Sequence, residues 1–122
     1  MKRRVLNVGQ CEPDTAALAR FLSAHFDVEL VPAKLPADAL AALRNSSFDL
    51  TLVNRKLDED YTDGLEIVKL AKADPQLAAL PIMLVSNHPE AHDEAETFGA
   101  LRGFGKLELN AATAERLRPY LG

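Results

Sequence analysis

Apolar residues in this chain form short continuous runs that alternate with longer segments in which apolar residues recur at helical spacing. The short runs predict five strands at residues 5–8, 28–31, 48–53, 82–86 and 101–106. The segments between and after them predict five helices, at residues 13–26, 36–46, 65–74, 89–100 and from Asn110 onward. Short apolar strands that alternate with helices are typical of a parallel sheet with helices on both faces.

The alternation predicts an α/β fold, namely a doubly wound five-stranded parallel sheet in a three-layer α/β/α sandwich. Pro13 and Asp14 suit the first turn of the first helix, where a missing N–H costs little and a carboxylate meets the positive end of the helix dipole. Folds of this class place their sites at the carboxyl ends of the strands. The residues at those ends are Gly9, Gln10, Cys11, Asn54, Ser86, Asn87 and Lys106.

Length and charge limit the classes of function. A chain of 122 residues is enough for one domain, here 1–122, with a normal globular composition. The net charge of −4 comes from 14 basic and 18 acidic residues that are interspersed, so nucleic-acid binding is not expected. No apolar run is long enough for a signal peptide or a membrane span, and the basic residues 2–4 are expected to precede the first strand. We expect a cytoplasmic protein without a membrane partner.

Cofactor chemistry finds little support in the sequence. A single cysteine, Cys11, cannot form an intramolecular disulfide, and His25, His88 and His92 do not make a set of metal ligands. The stretch "GQCEPD" (9–14) has one glycine and is not a dinucleotide-binding loop. Because no nucleophile–base pair or metal triad is apparent, we expect no enzyme activity, no cofactor and no metal.

Four motifs resemble those of bacterial response-regulator receiver domains, the CheY-like domains of two-component signal transduction. "FDLTLVN" (48–54) resembles the phosphoacceptor strand, and "TDGLEIV" (62–68) resembles the glycine-opened third helix. "LPIMLVS" (80–86) resembles the fourth strand with its switch hydroxyl, and "FGALRGFGKL" (98–107) the region of the strand-5 lysine. The resemblance covers nearly the whole chain and implies the (βα)5 flavodoxin-like receiver fold.

The resemblance implies a phosphorylation site made of two acids, an acceptor aspartate, a hydroxyl and a lysine, with a magnesium ion. The acid pair falls on Gly9 and Gln10, the acceptor on Asn54, the hydroxyl on Ser86 and the lysine on Lys106. A complete pocket has a net charge of −2, whereas the matched positions here carry only the lysine charge. We therefore expect no magnesium binding and no phosphorylation of the amide. Replacement of Gly9, Gln10 and Asn54 by aspartate is expected to restore magnesium affinity.

The family's aromatic residue that turns inward on phosphorylation falls on Gly103, and Phe104 is one position further along. Neighbouring residues of a strand face opposite sides of the sheet. Phe104 is thus expected to replace the aromatic only if the strand register is shifted.

The sequence therefore predicts a pseudo-receiver, a phosphorylation-independent protein–protein interaction module in signal transduction. Its partners would be a sensor kinase, an adaptor or an output protein. The interaction surface, and a surface for self-association, is expected on the fourth helix, the fifth strand and the fifth helix. The residues assigned to it are Glu90, Asp93, Glu94, Gly103, Phe104, Arg116 and Arg118.

Two alternatives stay open. The acids Asp58, Glu59 and Asp60 lie in a loop that is longer than the family norm, where they could restore weak metal binding and a phosphorelay function. The second alternative is a small-ligand or anion sensor, in which the polar residues at the strand ends bind sulfate or phosphate. Lys106 is otherwise expected to extend into solvent or to donate to the carbonyl oxygen of Asn54.

Overall fold

The computed structural model describes residues 2–122, in which five strands alternate with five helices as predicted. The strands are β1 (Arg3–Val8), β2 (Val28–Ala33), β3 (Leu50–Asn54), β4 (Ile82–Val85) and β5 (Leu101–Phe104). The helices are α1 (Glu12–His25), α2 (Pro36–Asn45), α3 (Gly64–Ala73), α4 (Pro89–Thr97) and α5 (Ala111–Leu121). Over this range, none of the helices has the length and apolarity needed to cross a bilayer.

The sheet is parallel throughout, with the strand order β2-β1-β3-β4-β5, which confirms the predicted doubly wound fold. Arg3 and Arg4 were expected to precede β1 but belong to it, because their backbone pairs with Val28 and Glu29 of β2. Pro32 is tolerated in β2 because β2 is an edge strand, where a missing N–H leaves no internal ladder broken.

Two hydrophobic clusters fill the two sides of the sheet and make the structure a three-layer sandwich. On one side, Leu18 of α1 and Leu117 of α5 pack with the sheet residue Leu52. On the other side, α2, α3 and α4 contribute to a second cluster, which includes Ile67 and the sheet residue Leu84. All five of these side chains have an exposed fraction of at most 1%. Helices on both faces leave the carboxyl ends of the strands as the open edge of the sheet.

Side-chain caps begin two of the helices at this edge. The carboxylate of Asp63 accepts a hydrogen bond from the backbone N–H of Leu65 at 2.9 Å, which starts α3. The predicted N-cap Asn110 accepts from the backbone N–H of Thr113 at 3.0 Å and starts α5. These caps fix where the loops after β3 and β5 end.

The pairing of β5 contains an irregularity that the sequence pattern did not predict. Met83 of β4 lies opposite Leu101, but Val85 lies opposite Phe104, so two steps along β4 correspond to three along β5. This is a β-bulge, which adds one residue to a strand and shifts the side chains that follow it to the other face.

Candidate functional site

Asn54 connects three segments at the carboxyl edge of the sheet. Its Nδ2 donates hydrogen bonds to the carbonyl oxygens of Gly9 (3.2 Å) and Lys56 (2.7 Å). Its Oδ1 accepts a hydrogen bond from Nζ of Lys106 at 3.4 Å. Lys106 thus donates to the side-chain oxygen of Asn54. The sequence had suggested that it extends into solvent or donates to the backbone carbonyl oxygen of Asn54. The amide uses both of its polar atoms to tie β3 to the loops after β1 and β5.

The shortest contact of Lys106 is with a carboxylate that the sequence did not assign to the site. Nζ of Lys106 lies 2.6 Å from Oδ2 of Asp14, and the two side chains are 29% and 31% exposed. The thiol of Cys11 donates to the same oxygen at 3.1 Å. The hydrogen bond from Lys106 holds the pKa of Asp14 below its ordinary value, against the opposing effect of burial.

Asp14 changes the charge of the pocket. The family-matched positions carry one positive charge, from Lys106, and the carboxylate of Asp14 brings the total to zero. The sequence offered one signal for this role, because Asp14 lies in the first turn of α1. In a parallel α/β sheet, helix N-termini lie at the same edge as the strand ends, so first-turn acids can reach the site.

Gly9 occupies a position at which any side chain is strained. Its φ is +75°, in the left-handed region, and a Cβ built on it would collide with Cδ2 of Leu57 and lie 3.0 Å from Cα of Leu57. Leu57 is fully buried, and the N–H of the next residue, Asp58, donates to the carbonyl oxygen of Gly9 at 2.9 Å. An aspartate at position 9, as in the restoration expected from the sequence, would therefore displace this loop.

The residues present do not fit the magnesium ion that the family implies. The positions that match the family's three acids supply only backbone and amide oxygens, and the nearby carboxylate of Asp14 is bound to the ammonium of Lys106. The side-chain amide of Gln10 is buried and has no hydrogen-bond partner within residues 2–122, but it is uncharged. Magnesium sheds its water reluctantly and needs anionic oxygen ligands to do so.

The acids of the loop after β3 lie on the surface of the molecule. Asp58, Glu59 and Asp60 are exposed, and the carboxylate of Asp60 accepts from the backbone N–H of Thr62 at 2.9 Å. Hydrogen bonds from Thr62, first from its side chain and then from its backbone, hold the pKa of Asp60 below its ordinary value. Within residues 2–122, no three His, Cys, Asp or Glu side chains are grouped in a way that could hold a metal ion.

A cleft of about 550 Å³ opens beside Asn54, between the ends of β3 and β4 and the start of α4. Ser86 lies at its floor and is 6% exposed, and its Oγ accepts a hydrogen bond from the backbone N–H of His88 at 3.1 Å. Oδ1 of Asn87 accepts from the backbone N–H of Leu107 at 3.1 Å and so holds the loop after β5. Ser86, at the position of the family's switch hydroxyl, is thus hydrogen-bonded to the backbone of its own loop.

At the family's aromatic position, Gly103 leaves no room for a side chain. A Cβ there would collide with the carbonyl oxygen of Leu84, and Cε1 of His92 would lie 3.2 Å from it. The ring of His92 is 5% exposed, and its Nε2 donates to the carbonyl oxygen of Ser86 at 2.8 Å. Its Nδ1 is buried without a partner within residues 2–122. The imidazole of α4 therefore fills the space beside Gly103.

Phe104 and Gly103 are buried, which corrects their assignment to an interaction surface. The bulge in β5 places Phe104 opposite Val85, where it is 1% exposed and lies against Phe21 of α1, with ring centroids 6.5 Å apart. The register shift that the sequence left open does occur. However, it turns the ring toward α1, so neither residue is available to a partner.

The charged residues of the predicted surface are largely paired within the chain. Arg102 contacts Asp93 at 2.7 Å and Glu96 at 2.9 Å, and Arg118 contacts Glu115 at 2.8 Å. Arg116 donates to the carbonyl oxygens of Arg102 and Gly103, at 2.8 Å each, and so supports the bulge. All three predicted acids, Glu90, Asp93 and Glu94, are exposed, and Oε1 of Glu90 lies 3.8 Å from Nδ1 of His88.

Comparisons with known proteins agree with this architecture. The chain matches no protein-family model and none of the curated proteins. Among solved structures it is similar to the chemotaxis response regulator CheY4 of Vibrio cholerae, with 22% identity, a TM-score of 0.78, and coverage of 99% of this chain and 100% of that chain. It is also similar to the receiver domain of a DNA-binding response regulator from Colwellia psychrerythraea, with 21% identity, a TM-score of 0.78, and coverage of 97% of this chain and 96% of that chain. A third similar structure is NtrX from Brucella abortus, with 25% identity, a TM-score of 0.72, and coverage of 98% of this chain and 25% of that chain. The chain has the fold of response-regulator receiver domains.

Proposed function

We propose that this chain is a receiver-fold signalling module that binds protein partners without being phosphorylated. The observation that carries the proposal is the state of Asn54, whose side chain is hydrogen-bonded to Gly9, Lys56 and Lys106. A carboxamide offers no carboxylate nucleophile for an acyl phosphate. Phosphoryl transfer also needs a metal ion to neutralise the developing charge, and the pocket lacks the anionic ligands for one.

The route from the pocket to a partner surface is also altered. No side chain at Gly103 can rotate between two positions, and Phe104 is buried against Phe21. His92 holds α4 to the carbonyl oxygen of Ser86. The surface made of α4, β5 and α5 would thus keep one shape, and partners would recognise it constitutively.

The charges of that surface indicate the class of partner. Glu90 and Glu94 are one helical turn apart on α4 and both are exposed, so they suit a partner with basic residues, such as a sensor kinase, an adaptor or an output protein. Self-association is less favoured, because Asp93 and Arg118 already have ion-pair partners within the chain. A heterologous partner is therefore the proposal.

The phosphorylation part is tested by two-dimensional NMR of the whole domain, titrated with magnesium and then with beryllofluoride, a mimic of the acyl phosphate. We expect no saturable shifts at Gly9, Gln10, Asn54 or Lys106. Saturable shifts at these residues would mean that other oxygens complete the site, and the phosphorelay function would take precedence.

The interaction part is tested with matched charge reversals. Glu94→Lys changes the α4 surface, whereas Glu29→Lys reverses a charge on β2, at the opposite edge of the sheet, and also removes the 3.2 Å ion pair of Glu29 with Arg4. A partner captured by the wild-type domain should be lost with the first variant and kept with the second. Equal binding by both variants would place the interaction surface elsewhere.

A small-ligand sensor is the second candidate, and the cleft of about 550 Å³ beside Asn54 favours it. A volume of this size is in the range of small-molecule sites. A bound flavin or other chromophore would appear in the absorption spectrum of the purified protein. Native mass spectrometry would detect a colourless ligand, and a bare protein mass would exclude a tightly bound one.

A further inference from the structure

The ion pair between Asp14 and Lys106 links the beginning of the chain to the loop after β5. Nζ of Lys106 lies 2.6 Å from Oδ2 of Asp14, and the next contact of the ammonium is Oδ1 of Asn54 at 3.4 Å. Both charged side chains are about two-thirds buried, with exposed fractions of 29% and 31%. The lysine charge at the floor of the pocket is thus matched by a carboxylate of the same chain.

A small oxyanion that entered the pocket would have to compete with this carboxylate. The hydroxyl of Ser86 accepts from the N–H of His88 and keeps its own proton available, so Ser86 and Lys106 are the donors an anion would use. The Nδ2 atom of Asn54 is already engaged by two carbonyl oxygens. Asp14 repels a second negative charge and holds the ammonium that would otherwise attract it.

Besides Lys106, the cleft is lined by the cations Arg55 and Lys56 and by the exposed acids Glu90 and Glu94. Arg55 is paired with Asp63 at 2.6 Å, and Lys56 is exposed at the rim, where water and salt screen its charge. Lys106 is the cation that contacts the side chain of Asn54, and its ammonium is also bound to the carboxylate of Asp14.

We propose that Asp14 is a built-in counter-ion that occupies Lys106 and closes the pocket to small oxyanions. Asp14 thereby determines which ions the pocket admits, and it keeps the site in one state without phosphorylation. This inference deepens the proposed function and rests on it. A plain structural role for Asp14, as an acid that stabilises the N-terminus of α1, makes a different prediction, because it would leave anion binding unchanged.

The test is an NMR titration with inorganic phosphate at constant ionic strength, applied to the wild-type domain, Asp14→Asn and Asp93→Asn. The control variant also loses one negative charge and one short ion pair, that of Asp93 with Arg102 at 2.7 Å, but lies on α4. We expect Asp14→Asn to gain saturable shifts at Asn54, Ser86 and Lys106. Its dissociation constant for phosphate should be at least about tenfold lower than that of the wild type. Asp93→Asn should behave like the wild type.

A second variant identifies the group that binds the anion. Adding Lys106→Met to Asp14→Asn should abolish the gained phosphate shifts, and the dispersion of the amide spectrum reports whether both variants are folded. The proposal is overturned if Asp14→Asn gains no phosphate binding, if Asp93→Asn gains as much, or if the double variant still binds. A further combination of results is that the wild-type domain shows no NMR shifts with beryllofluoride while Asp14→Asn shows none with phosphate. That pair of results would refute the counter-ion role of Asp14 and leave the proposed function standing.

Discussion

The carboxylate of Asp14 has a thermodynamic consequence that follows from its contacts. Its pKa is held below the ordinary value by Lys106, so the folded state binds a proton at this group less readily than the unfolded state. The ion pair therefore stabilises the protein above the ordinary carboxyl range. This stabilisation is lost as the pH falls through the lowered pKa of the folded state.

We accordingly expect Asp14→Asn to lower the free energy of unfolding by about 1 kcal/mol or less at about pH 7, because the pair is partly solvated. At about pH 3 the difference between variant and wild type should shrink toward zero, since both then lack the full carboxylate charge. Urea denaturation of both proteins at the two pH values measures this difference in the free energy of unfolding. A cost that is independent of pH would show that the charge of Asp14 contributes nothing.

Gly9 and Gly99 permit a matched test of backbone strain and space. Both have positive φ, but a Cβ at Gly99 would meet only the flexible side chain of Lys72, at 3.4 Å, whereas one at Gly9 would collide with Leu57. We expect Gly99→Ala to cost about 1 kcal/mol and Gly9→Ala about 3 kcal/mol or more. Thermal unfolding of the two variants shows which substitution destabilises the protein more. Equal losses of stability would mean that the loop at Leu57 moves to accommodate the new side chain.

Some residue-scale features could be predicted from sequence and others could not. The strand-end positions of Asn54, Ser86 and Lys106 followed from the apolar pattern. The role of Asp14 did not, because a first-turn acid is favourable at a helix N-terminus whether or not it also reaches a partner 92 residues away. The restriction at Gly9 did not either, since it depends on how Leu57 packs.

At the scale of elements, β5 and α4 hold the features that the sequence did not predict. The bulge turns Phe104 toward α1, and the ring of His92 fills the space beside Gly103. The sequence showed the glycine and the neighbouring phenylalanine, but a bulge depends on hydrogen bonds between strands and has no period in the sequence. Element order was thus predictable, and the register of the last strand was not.

His92 is expected to hold α4 in place. His92→Ala should lower the free energy of unfolding by about 2–4 kcal/mol, because it removes a buried ring and leaves the carbonyl oxygen of Ser86 without its donor. His88→Ala, at a side chain that is 75% exposed, should change stability little. Hydrogen exchange of α4 amides should accelerate in the first variant only, and unchanged exchange would contradict the role of His92.

At the scale of the whole molecule, the fold follows from simple physical rules. Five apolar strands alternate with five amphipathic helices, and right-handed crossovers place α1 and α5 on one side of the sheet and the other helices on the opposite side. The net charge of the pocket, in contrast, depends on contacts between distant segments. It was expected to be positive and is zero once Asp14 is included.

This charge balance predicts how magnesium affinity can be restored. Gln10→Asp with Asn54→Asp would bring the pocket to a net charge of −2 and leave Gly9 intact, so the domain should gain saturable magnesium binding in NMR titrations. Adding Gly9→Asp should lower stability without a matching gain in affinity.

The control for this restoration adds the same charge elsewhere. Ser23→Asp with Gln76→Asp adds the two charges at exposed positions in the last part of α1 and after α3, at the opposite edge of the sheet from the pocket. Magnesium shifts of equal size in the control, or no shifts in the pocket variant, would contradict the assignment of Gln10 and Asn54.

The ion pair of Asp14 and Lys106 also has a consequence for how the protein is made. Its two residues are 92 positions apart, so during synthesis the pair can form only after β5 and the following loop have left the ribosome. Until then Lys106 is absent, and Asp14 is an unpaired acid on α1. Closing a loop of this length also costs chain entropy, which has to be overcome before the pair forms. The pocket is therefore among the last parts of the nascent chain to acquire its final electrostatic state.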